Sequence, residues 1–142
     1  IIYIKWIVFV EFFEVDATAL KDFFLFFSPS RKSEFENLVT QLNADKLKEL
    51  LVLVRAARGA ARFIRAHVTE KLCAGFEDMI QAGLSLDDVK KLSPSFIELL
   101  WALKDTLQTN RSEKQFWSDA ANQEKVLAFV GPQTLVEEKK AA

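Results

Sequence analysis

The chain has 142 residues, of which 50 % are apolar and 27 % are charged, and its formal net charge is −1. A domain of this length buries about two-thirds of the surface that its unfolded chain exposes. A net charge this close to zero excludes a chain that is basic throughout, such as a general nucleic-acid coat or a polybasic membrane binder. Any electrostatic function therefore requires that charge be segregated along the chain.

The numbers of glycine, proline and cysteine residues limit the possible fold classes. Four glycines and three prolines leave little material for β-turns, which favours helices over a many-stranded sheet. The single cysteine, Cys73, excludes an intramolecular disulfide and a cysteine cage for zinc, and it weakly favours a reducing compartment. We therefore predict a mainly α protein, with a single domain of about six helices over residues 17–131. An apolar segment at 1–16 precedes this domain, and a tail at 132–142 follows it.

Residues 1–15 are the most apolar part of the sequence. Their β-branched and aromatic composition is typical of a strand buried on both faces, but a buried helix fits equally because both alternating faces are apolar. A membrane span is the second interpretation, weakened because Lys5, Glu11 and Glu14 interrupt a run that would need about 20 apolar residues. A signal peptide fits less well, since the glutamates lie where its apolar core and cleavage site belong. The chain begins at Ile1 rather than at methionine, so the sequence leaves a targeting segment upstream open.

Aromatic residues are concentrated in the first quarter of the chain, where ten of the 17 fall within 35 positions. Such density predicts either a core or an exposed patch that marks an interface. Trp101 lies beside the apolar stripe of its helix rather than at its centre, so it fits the rim of a core or an interface. The candidate interface aromatics are Trp6, Phe9, Phe23, Phe27 and Trp101.

Capping residues and apolar periodicity predict the helices in chain order. Ser, Asn or Asp accepts hydrogen bonds from the first free amides of a helix, and Glu or Gln three residues later completes a capping box. The residues that begin the predicted helices are Asp16, Ser33–Glu36, Asn43, Ser85, Ser93-Pro94 and Ser112–Gln115. Ser28-Pro29 ends the first helix and Gly83 ends the helix before Ser85, while the last helix covers 123–130. The predicted core contains the apolar residues at helical spacing: Phe35, Leu38, Leu50, Leu53, Ile64, Val68, Phe76, Leu99, Leu100 and Leu103.

The most concentrated positive charge lies between residues 46 and 71, where seven lysines and arginines accompany two glutamates. Read as one helix, Leu47–Arg65 places four arginines within about 80° of one another, with a lysine on the same line and small residues nearly opposite. The candidate anion-binding residues are Lys48, Arg55, Arg58, Arg62 and Arg65. Aligned guanidinium groups repel one another, so they predict compensation by acidic helices of the same chain, by an acidic protein surface or by phosphates.

The sequence shows no recognisable catalytic motif. His67 and Glu70 have a spacing that two metal ligands can use, but one histidine and one cysteine do not supply a full ligand set, and a structural role for each is the simpler interpretation. A glycine-rich phosphate loop and a Ser-His-Asp set are both absent. We therefore predict no enzymatic activity, no cofactor and no metal.

The preferred functional hypothesis is a non-enzymatic interaction or assembly subunit. Its aromatic N-terminal segment would make an apolar contact, and its arginine-lined helix would bind an acidic protein surface or a second copy of the chain. The first alternative is binding of nucleic acid or another polyanion through the same arginines. The second is a membrane-associated subunit held by residues 1–15.

Overall fold

The computed structural model of the protein describes residues 17–130, of which 82 % are helical and none is in a strand. The helices of this part of the chain are α1 (Ala17–Phe26), α2 (Pro29–Thr40), α3 (Ala44–Phe63), α4 (His67–Gln81), α5 (Leu86–Asn110), α6 (Lys114–Trp117) and α7 (Ala120–Leu127). The predicted mainly α fold is confirmed, with seven helices in the described residues where about six were expected. The segment 1–16 and the tail 132–142 lie outside the described residues.

Three helix starts show how local sequence sets the boundaries. Asn43 and Ser85 cap α3 and α5 as predicted, since Asn43 Oδ1 accepts from the Lys46 amide at 2.8 Å and Ser85 Oγ from the Asp88 amide at 3.2 Å. The capping box predicted at Ser33 is wrong. α2 begins five residues earlier, after the N-cap Ser28, because Pro29 at the first helical position has a backbone angle already suited to a helix.

Helix α5 continues through Pro94, where the sequence predicted one helix to end and another to begin. Ser93 does not cap a new helix; its hydroxyl donates to the Val89 carbonyl oxygen at 2.6 Å. Apolar residues are buried on both sides of Pro94, among them Val89 and Phe96. Their burial offsets the roughly 3 kcal/mol that a proline costs in a helix interior.

The core contains two aromatic clusters joined by α5. Phe27 and Phe35 contact Trp101 edge-on, with ring centroids 5.4 and 5.7 Å apart, and Phe76 packs on Phe96 at 4.3 Å. Nine of the ten predicted core residues are buried, and the tenth, Leu38, is half-buried against the same core. Helical spacing was therefore a reliable guide to the core.

The turn between α3 and α4 is a Schellman motif. The Ala66 amide donates to the Ala61 carbonyl oxygen at 2.8 Å and the Arg65 amide to the Arg62 carbonyl oxygen at 3.1 Å. This pattern requires a left-handed residue at the position of Arg65, whose φ is +60°. The same motif ends α4 at Gly83, with φ +102°, as the sequence predicted.

Substituting the glycines tests the packing around them. We expect Gly59→Ala to raise the free energy of unfolding by about 0.5–1 kcal/mol, because a Cβ at this position of α3 meets no atom within 4 Å and alanine favours a helix. Gly75→Ala should instead destabilise the protein, since its Cβ would overlap the backbone carbonyl of Phe129. Urea denaturation of both variants measures the difference, and equal effects would contradict this description of the two sites.

Candidate interaction surface on α3

Two of the predicted anion-binding arginines are engaged by the protein's own α4. Arg55 Nε lies 2.7 Å from Glu77 Oε2, and Arg58 Nη1 lies 3.1 Å from Glu77 Oε1. The Glu77 side chain is only 9 % exposed, whereas that of Arg55 is 52 % exposed. The hydrogen bond from Arg55 lowers the pKa of Glu77, with Arg58 acting in the same direction and burial against it. One buried carboxylate therefore compensates the first two of the four arginines.

The other cations remain open toward solvent. Arg62 is 76 % exposed, and its Nε lies 3.8 Å from Glu70 Oε2, beyond hydrogen-bond distance. Lys48 and Arg65 are exposed and form no ion pair within residues 17–130. The prediction of one helix through Arg65 is wrong, because α3 ends at Phe63 and Arg65 lies in the left-handed turn.

An exposed apolar stripe runs along α3 beside these cations. Val52 is 62 % exposed and Phe63 is 75 % exposed, and Ala56 and Gly59 between them are also exposed. At 100° per residue, these four residues lie within about 60° of one another. We call Val52, Ala56, Gly59 and Phe63 the α3 outer stripe. Its four members point away from the buried residues of the same helix, which include Leu50, Ala57 and Ala61.

The α3 outer stripe was not predicted from the sequence, although its spacing is visible there. Val52 and Phe63 are eleven residues apart, which is three helical turns. Phe63 was included neither in the predicted core nor among the candidate interface residues, because the helix was predicted to continue through Arg65. Once the turn is placed there, Phe63 becomes the last residue of α3 and faces outward.

Of the five aromatic residues predicted to lie at an interface, three are buried and two lie outside the described residues. Phe23, Phe27 and Trp101 are buried among the chain's own helices, so for these three the structure shows the core alternative and not a surface contact. Trp6 and Phe9 lie outside the described residues. On α1 the exposed large apolar side chain is instead Leu25, at 64 %.

A buried carboxylate fixes the start of α4. Ala66 precedes this helix and provides no side-chain cap. Glu113, 45 residues away, accepts from the Val68 amide at 3.0 Å, from the Thr69 amide at 2.8 Å and from the Thr69 hydroxyl at 2.6 Å. Burial raises the pKa of Glu113 to about 6, and these three hydrogen bonds act in the opposite direction.

The prediction of a capping box at Ser112–Gln115 is wrong, because these two side chains bond to other partners. Ser112 Oγ accepts from the Lys114 amide at 3.1 Å, and the Gln115 side chain accepts from Asn110. Glu113, which that prediction passed over, performs the capping role on another helix. No local sequence pattern signals a cap that comes from 45 residues away.

The remaining reactive groups form no further site in the described residues. Cys73 is fully buried, and its burial raises the pKa of the thiol well above the ordinary range, which keeps the thiol protonated. Between residues 17 and 130, no group of three or more His, Cys, Asp or Glu side chains could hold a metal ion. In that same range, the helices are too short or too polar to span a bilayer.

Comparison of the chain with protein-family models, with curated proteins and with solved structures found no match. The function is therefore inferred from the geometry of the α3 surface.

The Arg55–Glu77 contact can be compared with the longer Arg62–Glu70 contact. In double-mutant cycles with glutamine, we expect Arg55–Glu77 to give a coupling energy of up to about 1 kcal/mol, because the arginine is half-exposed. Arg62–Glu70 should give a coupling near zero, since its atoms are 3.8 Å apart and Arg62 is mostly solvated. Urea denaturation at low salt measures both couplings. A strong Arg62–Glu70 coupling would mean that Arg62 is not available to a partner.

The Glu113 carboxyl predicts a pH dependence of stability. Its pKa in the folded protein, about 6, lies above the ordinary value of 4.5 for a glutamate, so between these values the folded chain holds more protons than the unfolded chain. The free energy of unfolding should therefore fall by about 2 kcal/mol as the pH rises from 4.5 to 7, and change little from this group above that range.

Glu113→Gln should remove this pH dependence, although the variant is less stable because its amide cannot accept from both backbone amides. Glu49→Gln, at an exposed position of α3, is the matched control and should keep the pH dependence of the original protein. Urea denaturation at four pH values between 4.5 and 7 measures it. If the free energy of unfolding changed with pH in the same way in the original protein and in Glu113→Gln, the pH dependence could not be assigned to Glu113.

Proposed function

We propose that this chain is a non-enzymatic protein-interaction or assembly module whose binding surface is the outer side of α3. The observation that carries the proposal is the exposure of Phe63 and Val52 on the same helix as the open guanidinium of Arg62. Large apolar side chains exposed next to arginine are the combination from which the energetic centres of protein interfaces are built.

The apolar part of this surface favours a protein partner. A side chain of phenylalanine size contributes roughly 1.5–3 kcal/mol when it passes from water into an apolar contact. Phe63 gains little of this within its own chain, because it is 75 % exposed, while Phe23, Phe27 and Phe35 of the same chain are fully buried. A partner that covers Phe63 would recover that free energy.

The charged part of the surface favours an acidic partner. Glu77 compensates Arg55 and Arg58 in part, but Lys48, Arg62 and Arg65 remain available to carboxylates from outside. Arginine is suited to this because its planar guanidinium donates two parallel hydrogen bonds to one carboxylate.

Polyanion binding is the competing proposal for the same cations. Three open cations release few counterions, so binding to a nucleic-acid backbone would be weak at physiological salt. A phosphate backbone would also leave Val52 and Phe63 exposed. For these two reasons nucleic acid is the second candidate partner. The membrane alternative depends on residues 1–15, which lie outside the described residues.

Photo-crosslinking in the cells that produce the protein tests the proposal. p-Benzoyl-phenylalanine would replace Val52 in the full chain, with a matched probe at the exposed Lys125 of α7. We expect the probe at 52 to form an adduct with a protein through an acidic segment, reduced at least about fivefold by Arg62→Glu. The probe at 125 should form no such adduct.

Three results would overturn the proposal. A nuclease-sensitive adduct at 52 would put the polyanion function in its place. Adducts with lipid alone, together with flotation on liposomes after a high-salt wash, would favour the membrane function. Equal crosslinking at 52 and 125 would remove α3 as an interaction surface.

A further inference from the structure

We infer that the α3 outer stripe binds one amphipathic helix of the partner, with acidic residues along the edge of that helix that faces Lys48, Arg55 and Arg62. This inference rests on the proposed function and names the chemistry of the partner. It follows from the spacing of the apolar residues, from the position of Gly59 and from the spacing of the cations.

The α3 outer stripe has the spacing of a helix–helix seam. Its members follow one another at intervals of four, three and four residues, which is the alternation of the a and d positions of a heptad repeat. The stripe extends over three turns, or about 16 Å. Glu49 occupies the preceding position of the same repeat and Phe63 is the last residue of α3, so the seam has a defined beginning and end.

Gly59 gives the stripe a depression at its centre. A Cβ at this position would meet no atom within 4 Å, so no neighbour in the described chain requires a glycine there. A glycine in a helix interior nevertheless costs about 1 kcal/mol relative to alanine. Ala56 and Gly59 leave a low region between Val52 and Phe63, and a large side chain of a second helix can enter it.

The cations occupy a single edge of the seam at exact heptad intervals. Lys48, Arg55 and Arg62 are each seven residues apart and correspond to the g positions of the repeat, where charges select the partner helix. All three are exposed. Arg55 gives its Nε to Glu77, but its side chain is still 52 % exposed. A facing row of carboxylates therefore matches this edge.

The charge pattern disfavours a second copy of the chain as the occupant. In an antiparallel pair of α3 helices the g positions face each other, so the three cations would meet three cations. In a parallel pair they would face the e positions Leu53 and Ala60, which carry no charge, and the remaining e position of α3, Lys46, is another cation. Neither arrangement supplies carboxylates, whereas a different, acidic helix does.

Two synthetic helices test the inference with the full chain. Both have 21 residues with leucine at a and d; one has glutamate at e and g, and the other has lysine there. Each is labelled with a fluorophore, and binding is measured by anisotropy at 50 and 200 mM salt. We expect the glutamate helix to bind at least about tenfold more tightly than the lysine helix, and its affinity to fall as salt rises.

Variants of the stripe locate the binding site. Phe63→Ser and Arg62→Glu should each weaken binding of the glutamate helix about tenfold or more. Gly59→Leu should weaken binding without unfolding the protein, because its side chain fills the depression while meeting no atom of the described chain at Cβ. Leu25→Ser on α1 and Lys125→Glu on α7, both at exposed positions, are matched controls and should bind like the original protein.

The outcomes separate this inference from the proposed function. Equal binding of the two helices, binding of neither, or unchanged binding by Gly59→Leu and Phe63→Ser would overturn the inference, as would a dimer in light scattering that Phe63→Ser dissociates. A protein adduct at position 52 together with failure of the glutamate helix would leave the proposed function standing without a helical partner. Tight binding of the glutamate helix without any adduct at 52 would contradict the proposed function instead.

Discussion

The packing of α3 along α4 decides which side of the basic helix is free. Alanine residues at 57 and 61 are completely buried and let the two helices approach closely, and the turn at Arg65 directs the chain back so that they lie side by side. This arrangement brings Glu77 to Arg55 and Arg58. The same contact thus compensates two of the arginines on one flank of α3 and leaves the outer stripe next to that flank exposed to solvent.

Charge and apolar surface are consequently separated by only a small rotation around α3. The arginines nearest α4 are held by a carboxylate that is almost buried, which fixes their guanidinium groups in place. Arg62, near the end of the helix, is mostly solvated. On the outer side of the same helix, Phe63 and Val52 expose apolar surface that the described helices do not cover. A partner that combines apolar and acidic groups would cover the apolar surface and pair with the arginine at the same time.

Stability at the other end of α4 depends on a contact of a different kind. Glu113 accepts three hydrogen bonds at the start of this helix, where the free amides and the helix dipole favour a negative charge. Full burial opposes that charge and raises the pKa of Glu113. The position of α4, and with it the pairing of Glu77 with α3, is therefore linked to the segment that joins α5 to α6.

Local sequence patterns were sufficient to predict the helical class, most of the core and the caps at Asn43 and Ser85, because these depend on residues within a few positions of one another. The remaining features depend on contacts between distant parts of the chain. Burial on both sides of Pro94 kept α5 continuous, and contacts across 22 and 45 residues gave Glu77 and Glu113 their partners. The α3 outer stripe became visible only when packing had assigned one side of that helix to the core, since helical periodicity groups residues by direction without stating which direction faces water.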